Sequence, residues 1–205
     1  MRRPRQHVNP LSLHLLAPRE PLALPDDGRP VEVELGCADA RFIIERAERE
    51  RERLFVGLDI REVYLDEGRA RVAARGLDNV RLEACNLIVD SATLFAPGRV
   101  ARFFINFPDP WFKRRTKNRR WLTDETLAHL VAALAEGGEI FFQSDVFEVA
   151  LEAFALLEAQ PALQNVAGEW CFYRGGNPFG VRSTRETIVE EAGLPVWRLR
   201  FARRR

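Results

Sequence analysis

Short apolar runs alternate with longer charged stretches along most of this chain. Five runs rich in β-branched, leucine and phenylalanine residues predict strands at Val31–Leu35, Leu54–Leu58, Val80–Ala84, Ala101–Asn106 and Gly138–Ser144. The intervening stretches have helical composition and carry helix stop signals such as Gly76. Strands that alternate with helices predict an α/β domain with a mainly parallel sheet.

The second half of the chain adds more elements to this pattern. Thr123 predicts the N-cap of a helix that Gly137 and Gly138 end, and the D-x-x-E spacing from Asp145 to Glu148 predicts a second capped helix. Two later aromatic runs, Leu163–Arg174 and Pro195–Ala202, predict a final pair of strands.

The first 30 residues differ in composition from the rest. Prolines at positions 4, 10, 18, 21, 25 and 30 interrupt any periodic pattern. We therefore expect residues 1–30 to form a partly flexible N-terminal arm and residues 31–205 to form one domain.

Charge and cysteine content narrow the functional classes. The net charge is only +1, but basic residues gather at Arg2–Arg5, Lys113–Arg120 and Arg198–Arg205, which favours a polyanionic partner. The three cysteines are widely spaced without a C-x-x-C pair, so we expect neither a disulfide framework nor a metal site. No apolar run approaches the roughly 20 residues of a membrane helix, so we expect a soluble, cytoplasmic protein with no membrane partner.

Polar residues follow each predicted strand of the sheet. They are Glu34 with Gly36, Asp59, Asn86, Asp109, and Ser144 with Asp145. Ligands of open parallel sheets bind at the carboxyl ends of the strands, so these residues predict a binding site.

Two of these residues have alternative interpretations. Asp59 suits the hydroxyls of a ribose, or it caps the following helix. Asn86 offers both a donor and an acceptor to the edge of an adenine, or it is an ordinary loop residue.

The glycine pattern after the first strand indicates the kind of cofactor. Gly36 has the position of the first glycine in a G-x-G-x-G turn, but Ala38 and Ala40 replace the later ones. A pyrophosphate needs close approach to such a turn, so a nucleoside cofactor without one, such as S-adenosylmethionine, fits better than a dinucleotide.

The segment INFPDPWFKRRTKNRRWL, residues 105–122, is the most informative part of the chain. Pro108 and Pro110 stiffen the backbone around Asp109, and six of the eight residues in Lys113–Arg120 are basic. A solvated surface loop explains a charge run alone, but not this combination with Trp111.

Together with VELGCADARF, GLDI, and STRE followed by PVWRLRF, this segment resembles the bacterial tRNA (guanine-N7-)-methyltransferases. The resemblance implies a Rossmann-like class I methyltransferase fold: a seven-stranded, mainly parallel sheet with helices on both faces and a C-terminal antiparallel strand. It implies S-adenosylmethionine as donor, S-adenosylhomocysteine as product, and N7 of a guanine in the tRNA variable loop as acceptor.

The resemblance also implies roles for individual residues. Donor-site residues are Glu34, Gly36, Asp59, Asn86 and Asp109, of which Asp109 is also catalytic. RNA or substrate contacts come from Lys113, Arg115, Lys117, Arg119, Arg120, Asp145, Ser183, Thr184 and Glu186. The chain departs from the usual pattern at Ala38, Ala40, Asn86 and Ser183, which puts donor affinity in question.

Guanine N7 carries an in-plane lone pair, so its methylation needs no general base. Asp109 would anchor the guanine through its N1 and N2 donors and favour the charge that develops on the purine. Phe107 or Trp111 would stack on the base, unless Trp111 packs against the sheet.

Two other functions remain open from the sequence alone. A non-catalytic RNA-binding protein with a degenerate donor pocket is one, and a nucleotide-dependent oxidoreductase is the other, although the chain lacks G-x-G-x-x-G. The sequence does not reveal the oligomeric state, and a monomer is the default expectation.

Overall fold

The computed structural model describes residues 8–17, 19–110 and 119–205. In this part of the chain one sheet has seven strands, in the spatial order β3-β2-β1-β4-β5-β7-β6. The strands are β1 (Val31–Leu35), β2 (Leu54–Asp59), β3 (Val80–Ala84), β4 (Val100–Asn106), β5 (Leu134–Ser144), β6 (Leu163–Asn165) and β7 (Trp197–Arg203). Strands β1 to β5 pair in parallel, and β7 is antiparallel to both β5 and β6. The predicted mainly parallel sheet with a C-terminal antiparallel strand is confirmed.

The strand order fixes where a ligand binds. From β1 the chain moves outward through β2 and β3, and then returns to place β4 on the other side of β1. This reversal opens a crevice at the carboxyl ends of β1 and β4, the usual binding site of open parallel sheets.

Six α-helices of the described residues cover both faces of the sheet. They are α1 (Arg41–Arg49), α2 (Glu62–Ala74), α3 (Leu87–Asp90), α4 (Asp124–Ala133), α5 (Phe147–Ala159) and α6 (Thr184–Glu191). One buried cluster joins α3, α4 and α5 to the sheet, and a second joins α1 and α2 to its other face.

Three predictions about the ends and caps of helices and strands were wrong. Helix α4 ends at Ala133 and not at Gly137, because Leu134 already has an extended conformation and pairs with Val100 in β4. Of the predicted strand over residues 163–174, only residues 163–165 form a strand, which is β6. The predicted cap of α5 by Asp145 is absent: Val146 is the N-cap residue, without a side-chain cap hydrogen bond.

The described part of the N-terminal arm contacts the domain. A 3₁₀ turn, Leu13–Leu15, is followed by Arg19, whose backbone amide donates to Asp90 Oδ1 at 3.0 Å. Leu22 and Leu24 pack against the cluster that α3, α4 and α5 share. Among the described residues, no helix is long and apolar enough to span a membrane.

Candidate active site

A cleft opens at the carboxyl edge of the sheet, where sequence analysis placed the ligand site. Its lining includes Gly36, Asp59, Asn86 and Asp109, four of the five predicted donor-site residues. Asn106, Phe107, Arg119 and Arg120 also line it, and so do Val8 and Pro10 of the N-terminal arm. Most of the predicted donor-site residues are therefore brought together.

The turn between β1 and α1 has the left-handed backbone conformation of a glycine-rich turn, although two of its residues are alanines. Gly36, Ala38 and Ala40 all have positive φ, at 80°, 48° and 58°. The alanines thus adopt the left-handed conformation that glycine reaches without a steric penalty. Space beside Gly36 is open, since an added Cβ would meet nothing within 4 Å.

Asp59 is buried at the end of β2, and its carboxylate is fully engaged. Oδ2 accepts from the Ala38 amide at 2.8 Å and from the Arg61 guanidinium at 2.9 Å. Oδ1 accepts from the Arg61 backbone amide at 2.9 Å and from Arg61 Nε at 2.8 Å. These bonds to Asp59 raise the pKa of Arg61, and the nearby charge of Asp109 adds to the shift.

The alternative interpretation of Asp59 as a helix cap was wrong. Arg61 occupies the N-cap position of α2, and no side chain caps that helix. Asp59 instead joins the β1–α1 turn to the start of α2. No pattern in the sequence indicated that Arg61, two residues after Asp59, would bond to its carboxylate.

Asn86 caps α3 and anchors the N-terminal arm. Its Oδ1 accepts from the Ile88 amide at 3.2 Å, while Nδ2 donates to Pro10 O at 2.8 Å and to Leu15 O at 2.9 Å. An ordinary loop residue would not be almost completely buried and fully bonded in this way. Asn86 therefore sets the position of an arm segment that forms part of the cleft wall.

Glu34 lies next to the cleft lining and is buried with few hydrogen bonds to its carboxyl group. It is 3% exposed, and its Oε1 accepts from Asn106 Nδ2 at 2.8 Å. Among the described residues, Oε2 has no hydrogen-bond partner. Burial raises the pKa of Glu34 to about 8, and the Asn106 hydrogen bond only partly opposes this shift.

Asp109 is exposed at the mouth of the cleft, in a loop that starts with an unusual backbone conformation. Phe107 has φ of 50°, which is uncommon for a residue with a side chain, and its amide donates to Gln143 O at 2.8 Å. The loop thus leaves β4 in a fixed direction before it reaches Asp109.

Only part of the predicted basic surface is described. Lys113, Arg115 and Lys117 lie outside the described residues, as does Trp111. Arg120 donates to Pro110 O at 2.9 Å and forms an ion pair with Glu152 of α5. Arg120 therefore joins the Asp109 loop to α5, a structural role that sequence analysis did not predict.

Two residues of the S-T-R-E segment are buried and stabilise helix α6, whereas the resemblance implies that they contact RNA. Ser183 and Glu186 form a reciprocal capping box at the start of α6. Glu186 is completely buried and bonds to Arg198 at 2.7 Å, so its carboxylate has no surface for direct contact with RNA. Thr184 is exposed, and Asp145 pairs with Arg185.

Gln143 was missed by sequence analysis. It is fully buried near the end of β5 and bonds to Asn106, Glu186 and Arg198. A polar residue directly before the flagged Ser144, in an otherwise apolar strand, was the available signal.

Known proteins resemble this chain in both sequence and fold. A family model with the description "Putative methyltransferase" matches residues 28–199. The tRNA (guanine-N(7)-)-methyltransferase of Synechococcus elongatus is 37% identical over 208 residues, covering 98% of this chain and 96% of the relative. That of Trichormus variabilis is 37% identical over 209 residues, with the same two coverages of 98% and 96%.

Solved structures support the fold. The 16S rRNA methyltransferase KamB has a TM-score of 0.61 at 13% identity, covering 86% of this chain and 88% of that chain. The aminoglycoside resistance methyltransferase NpmB1 has a TM-score of 0.56 at 21% identity, covering 85% and 87%. These likenesses confirm the predicted class I methyltransferase fold. With the sequence relatives, they show that the chain belongs to the family of the tRNA (guanine-N(7)-)-methyltransferases.

Proposed function

We propose that the protein transfers the methyl group of S-adenosylmethionine to N7 of a guanine in the tRNA variable loop and releases S-adenosylhomocysteine. The main support is the position of Asp109. Its carboxylate is exposed at the mouth of the same cleft whose inner wall has Gly36 and Asp59. An anchor for the base and a site for the donor are therefore adjacent.

The residues of the inner cleft fit a nucleoside donor with a positively charged sulfur. The open space at Gly36 admits the amino-acid end of the donor. The Asp59 carboxylate accepts hydrogen bonds from the ribose hydroxyls once the Arg61 guanidinium no longer donates to it. Asn86 acts mainly by holding Pro10 in the wall of the cleft. Glu34 supports this site from below through Asn106.

Asp109 positions the acceptor base. Its carboxylate accepts hydrogen bonds from N1 and N2 of guanine, which directs N7 toward the methyl group and favours the positive charge that grows on the purine. The N7 lone pair forms the new bond to the methyl carbon as the carbon–sulfur bond breaks. No proton leaves N7, so no side chain is required to act as a base.

The RNA is held by the outer surface of the site. Phosphate contacts come from Arg119, with Lys113, Arg115 and Lys117. Further contacts come from exposed Thr184 and from Asp145, which follows β5 and pairs with Arg185. The described part of the N-terminal arm contributes Val8 and Pro10 to the wall of the cleft.

The two alternative functions are less well supported. A degenerate donor pocket would be expected to lose the shape of the β1–α1 turn, but positive φ is retained at Ala38 and Ala40. An oxidoreductase would need a pyrophosphate site for a dinucleotide, and it offers no role for the proline-flanked Asp109.

The direct test is methylation of unmodified tRNA with labelled donor, followed by chemical cleavage at 7-methylguanosine. We expect one modified guanine in the variable loop with the wild type. Asp109→Ala should lower turnover by about 100-fold or more, because base orientation and charge stabilisation are lost together.

Binding measurements complete this test. S-adenosylhomocysteine should raise the melting temperature of wild type and Asp109→Ala alike, and NAD should raise neither. A fully active Asp109→Ala variant would remove Asp109 from the mechanism. Methylation at another atom, or none in the wild type, would contradict the proposed function.

A further inference from the structure

Gln143 connects the two halves of the site through a continuous set of hydrogen bonds. Its Nε2 donates to Asn106 Oδ1 at 3.0 Å and to Glu186 Oε2 at 3.0 Å. Its Oε1 accepts from Arg198 Nε at 3.2 Å. The donor side of the cleft and helix α6 therefore share one fully buried carboxamide.

The chemistry of these neighbours fixes the orientation of the Gln143 amide. Arg198 can only donate hydrogen bonds, so it must face Oε1, and the Glu186 carboxylate, which also accepts from Arg198, faces Nε2. The second hydrogen of Nε2 then points to Asn106, which must present its Oδ1. Asn106 Nδ2 is consequently directed at Glu34.

The backbone of Gln143 also bonds to the segment that contains Asn106 and leads to Asp109. Its carbonyl accepts from the amide of Phe107, the residue that has φ of 50°. A strained conformation of this kind persists only where its surroundings hold it. Asn106 and Phe107 are thus both held by Gln143, immediately before the proline-flanked Asp109.

We propose that Gln143 is a positioning residue for methyl transfer: it uses helix α6 as a fixed support and sets the direction in which the Asn106–Asp109 segment leaves β4. This inference rests on the proposed function. It gives buried Glu186 a role, because Glu186 orients Gln143 instead of contacting RNA. Effects on rate are expected because misplacement of a catalytic group by about 1 Å costs on the order of 100-fold.

The test compares Gln143→Met with Asn177→Ala in single-turnover methylation. Methionine has a similar size but removes every side-chain hydrogen bond of Gln143. Asn177 Nδ2 also donates to Glu186 Oε2, at 2.8 Å, and Asn177 further bonds to the Val181 carbonyl and the Phe179 amide, but not to Asn106. It is therefore a matched control for loss of support at α6 alone.

We expect Gln143→Met to lower the single-turnover rate by about 10- to 100-fold at saturating tRNA and donor. The affinities for S-adenosylhomocysteine and tRNA should stay within about threefold of wild type, which separates positioning from binding. Asn177→Ala should keep a rate within about threefold of wild type.

A second variant keeps the inference testable if Gln143→Met does not fold. Gln143→Glu has the same shape and keeps the acceptor toward Arg198, but it replaces the Nε2 donor to both Asn106 Oδ1 and Glu186 Oε2 with an oxygen. We expect a similar loss of rate.

Three results would overturn the inference: a wild-type rate in the folded Gln143 variants, an equal loss in Asn177→Ala, or a loss explained by weaker tRNA binding. A wild type that does not methylate tRNA would instead overturn the proposed function, and this inference with it.

Discussion

Glu32 and Glu34 lie on the same face of β1, yet their surroundings differ. Glu32 pairs with Arg46 at 2.8 Å, with Arg53 at 3.3 Å and with Arg102. Among the described residues Glu34 has no cationic partner of this kind, and its side-chain hydrogen bond comes from the neutral amide of Asn106, so burial raises its pKa to about 8. The two-residue period of VEVEL as a strand places both side chains on one face. It could not predict the different partners, since these lie 14 to 72 residues away.

Stability should therefore fall as the pH rises, and Glu34 should be the cause. Between its ordinary pKa of 4.5 and its folded value of about 8, the folded protein keeps a proton that the unfolded chain releases. The unfolded state is favoured progressively over this window, by up to about 5 kcal/mol in total at about 1.4 kcal/mol per pKa unit. Below pH 4.5 the effect is absent, and above about pH 8 it is complete.

Glu34→Gln imitates the protonated carboxyl and should remove this loss. Urea unfolding at pH 5, 6, 7 and 8 measures the difference between variant and wild type. We expect equal stability at pH 5 and a variant more stable by a few kcal/mol at pH 8. Parallel pH profiles would show that Glu34 does not hold its proton in the folded state.

At the level of secondary-structure elements, the periodic patterns predicted most of the sheet. The bounds of β1 and β3 agree with the structure because their apolar runs end at clear turn residues. β6 is shorter than predicted because the chain turns after Asn165: the amides of Val166 and Tyr173 still donate to carbonyls of β7, but the residues between them form turns, and Phe172 packs against the core. Caps were predicted well at Thr123, where a side-chain hydrogen bond exists, and poorly at Asp145, which pairs with Arg185.

The β1–α1 turn provides a paired prediction about backbone strain. Ala38→Gly should stabilise the protein by about 0.5–1 kcal/mol, because relief of the left-handed conformation exceeds the entropy that glycine adds to the unfolded chain. Gly36→Ala should destabilise it by about 1 kcal/mol, and without a clash, since its Cβ meets nothing within 4 Å.

Chemical denaturation measures both changes, and calorimetry with S-adenosylhomocysteine measures the effect on the donor site. Ala38 does not line the cleft, so we expect Ala38→Gly to keep donor affinity within about threefold. A large gain in affinity would mean that the alanines do weaken donor binding.

At the level of the whole molecule, the sheet edge separates two kinds of surface. The proposed donor site is formed by strand ends, so the positions of its residues followed from the α/β pattern of the sequence. The proposed RNA surface depends on charges, whose partners that pattern does not predict. Arg120, predicted as a phosphate contact, also donates a hydrogen bond to the Pro110 carbonyl and forms an ion pair with Glu152. Its neighbour Arg119 lines the cleft as well.

Removal of both arginines should weaken tRNA binding through loss of counterion release. For Arg119→Ala with Arg120→Ala, we expect lower affinity and a plot of log affinity against log salt that is flatter by roughly one to two units. Because Arg120 also supports the Asp109 loop, Arg120→Ala alone should lower the melting temperature. Filter binding of tRNA across a salt series gives the slopes.

The matched control is Arg51→Ala with Arg75→Ala, which removes the same charge. Arg51 and Arg75 are exposed and follow α1 and α2, so they lie at the opposite edge of the sheet. This pair should leave the slope unchanged, whereas equal flattening in both pairs would mean that tRNA responds only to net charge. Affinity for S-adenosylhomocysteine should stay nearly constant in both, because the proposed donor contacts come from Gly36 and Asp59, whereas Arg119 and Arg120 line the same cleft as proposed phosphate contacts.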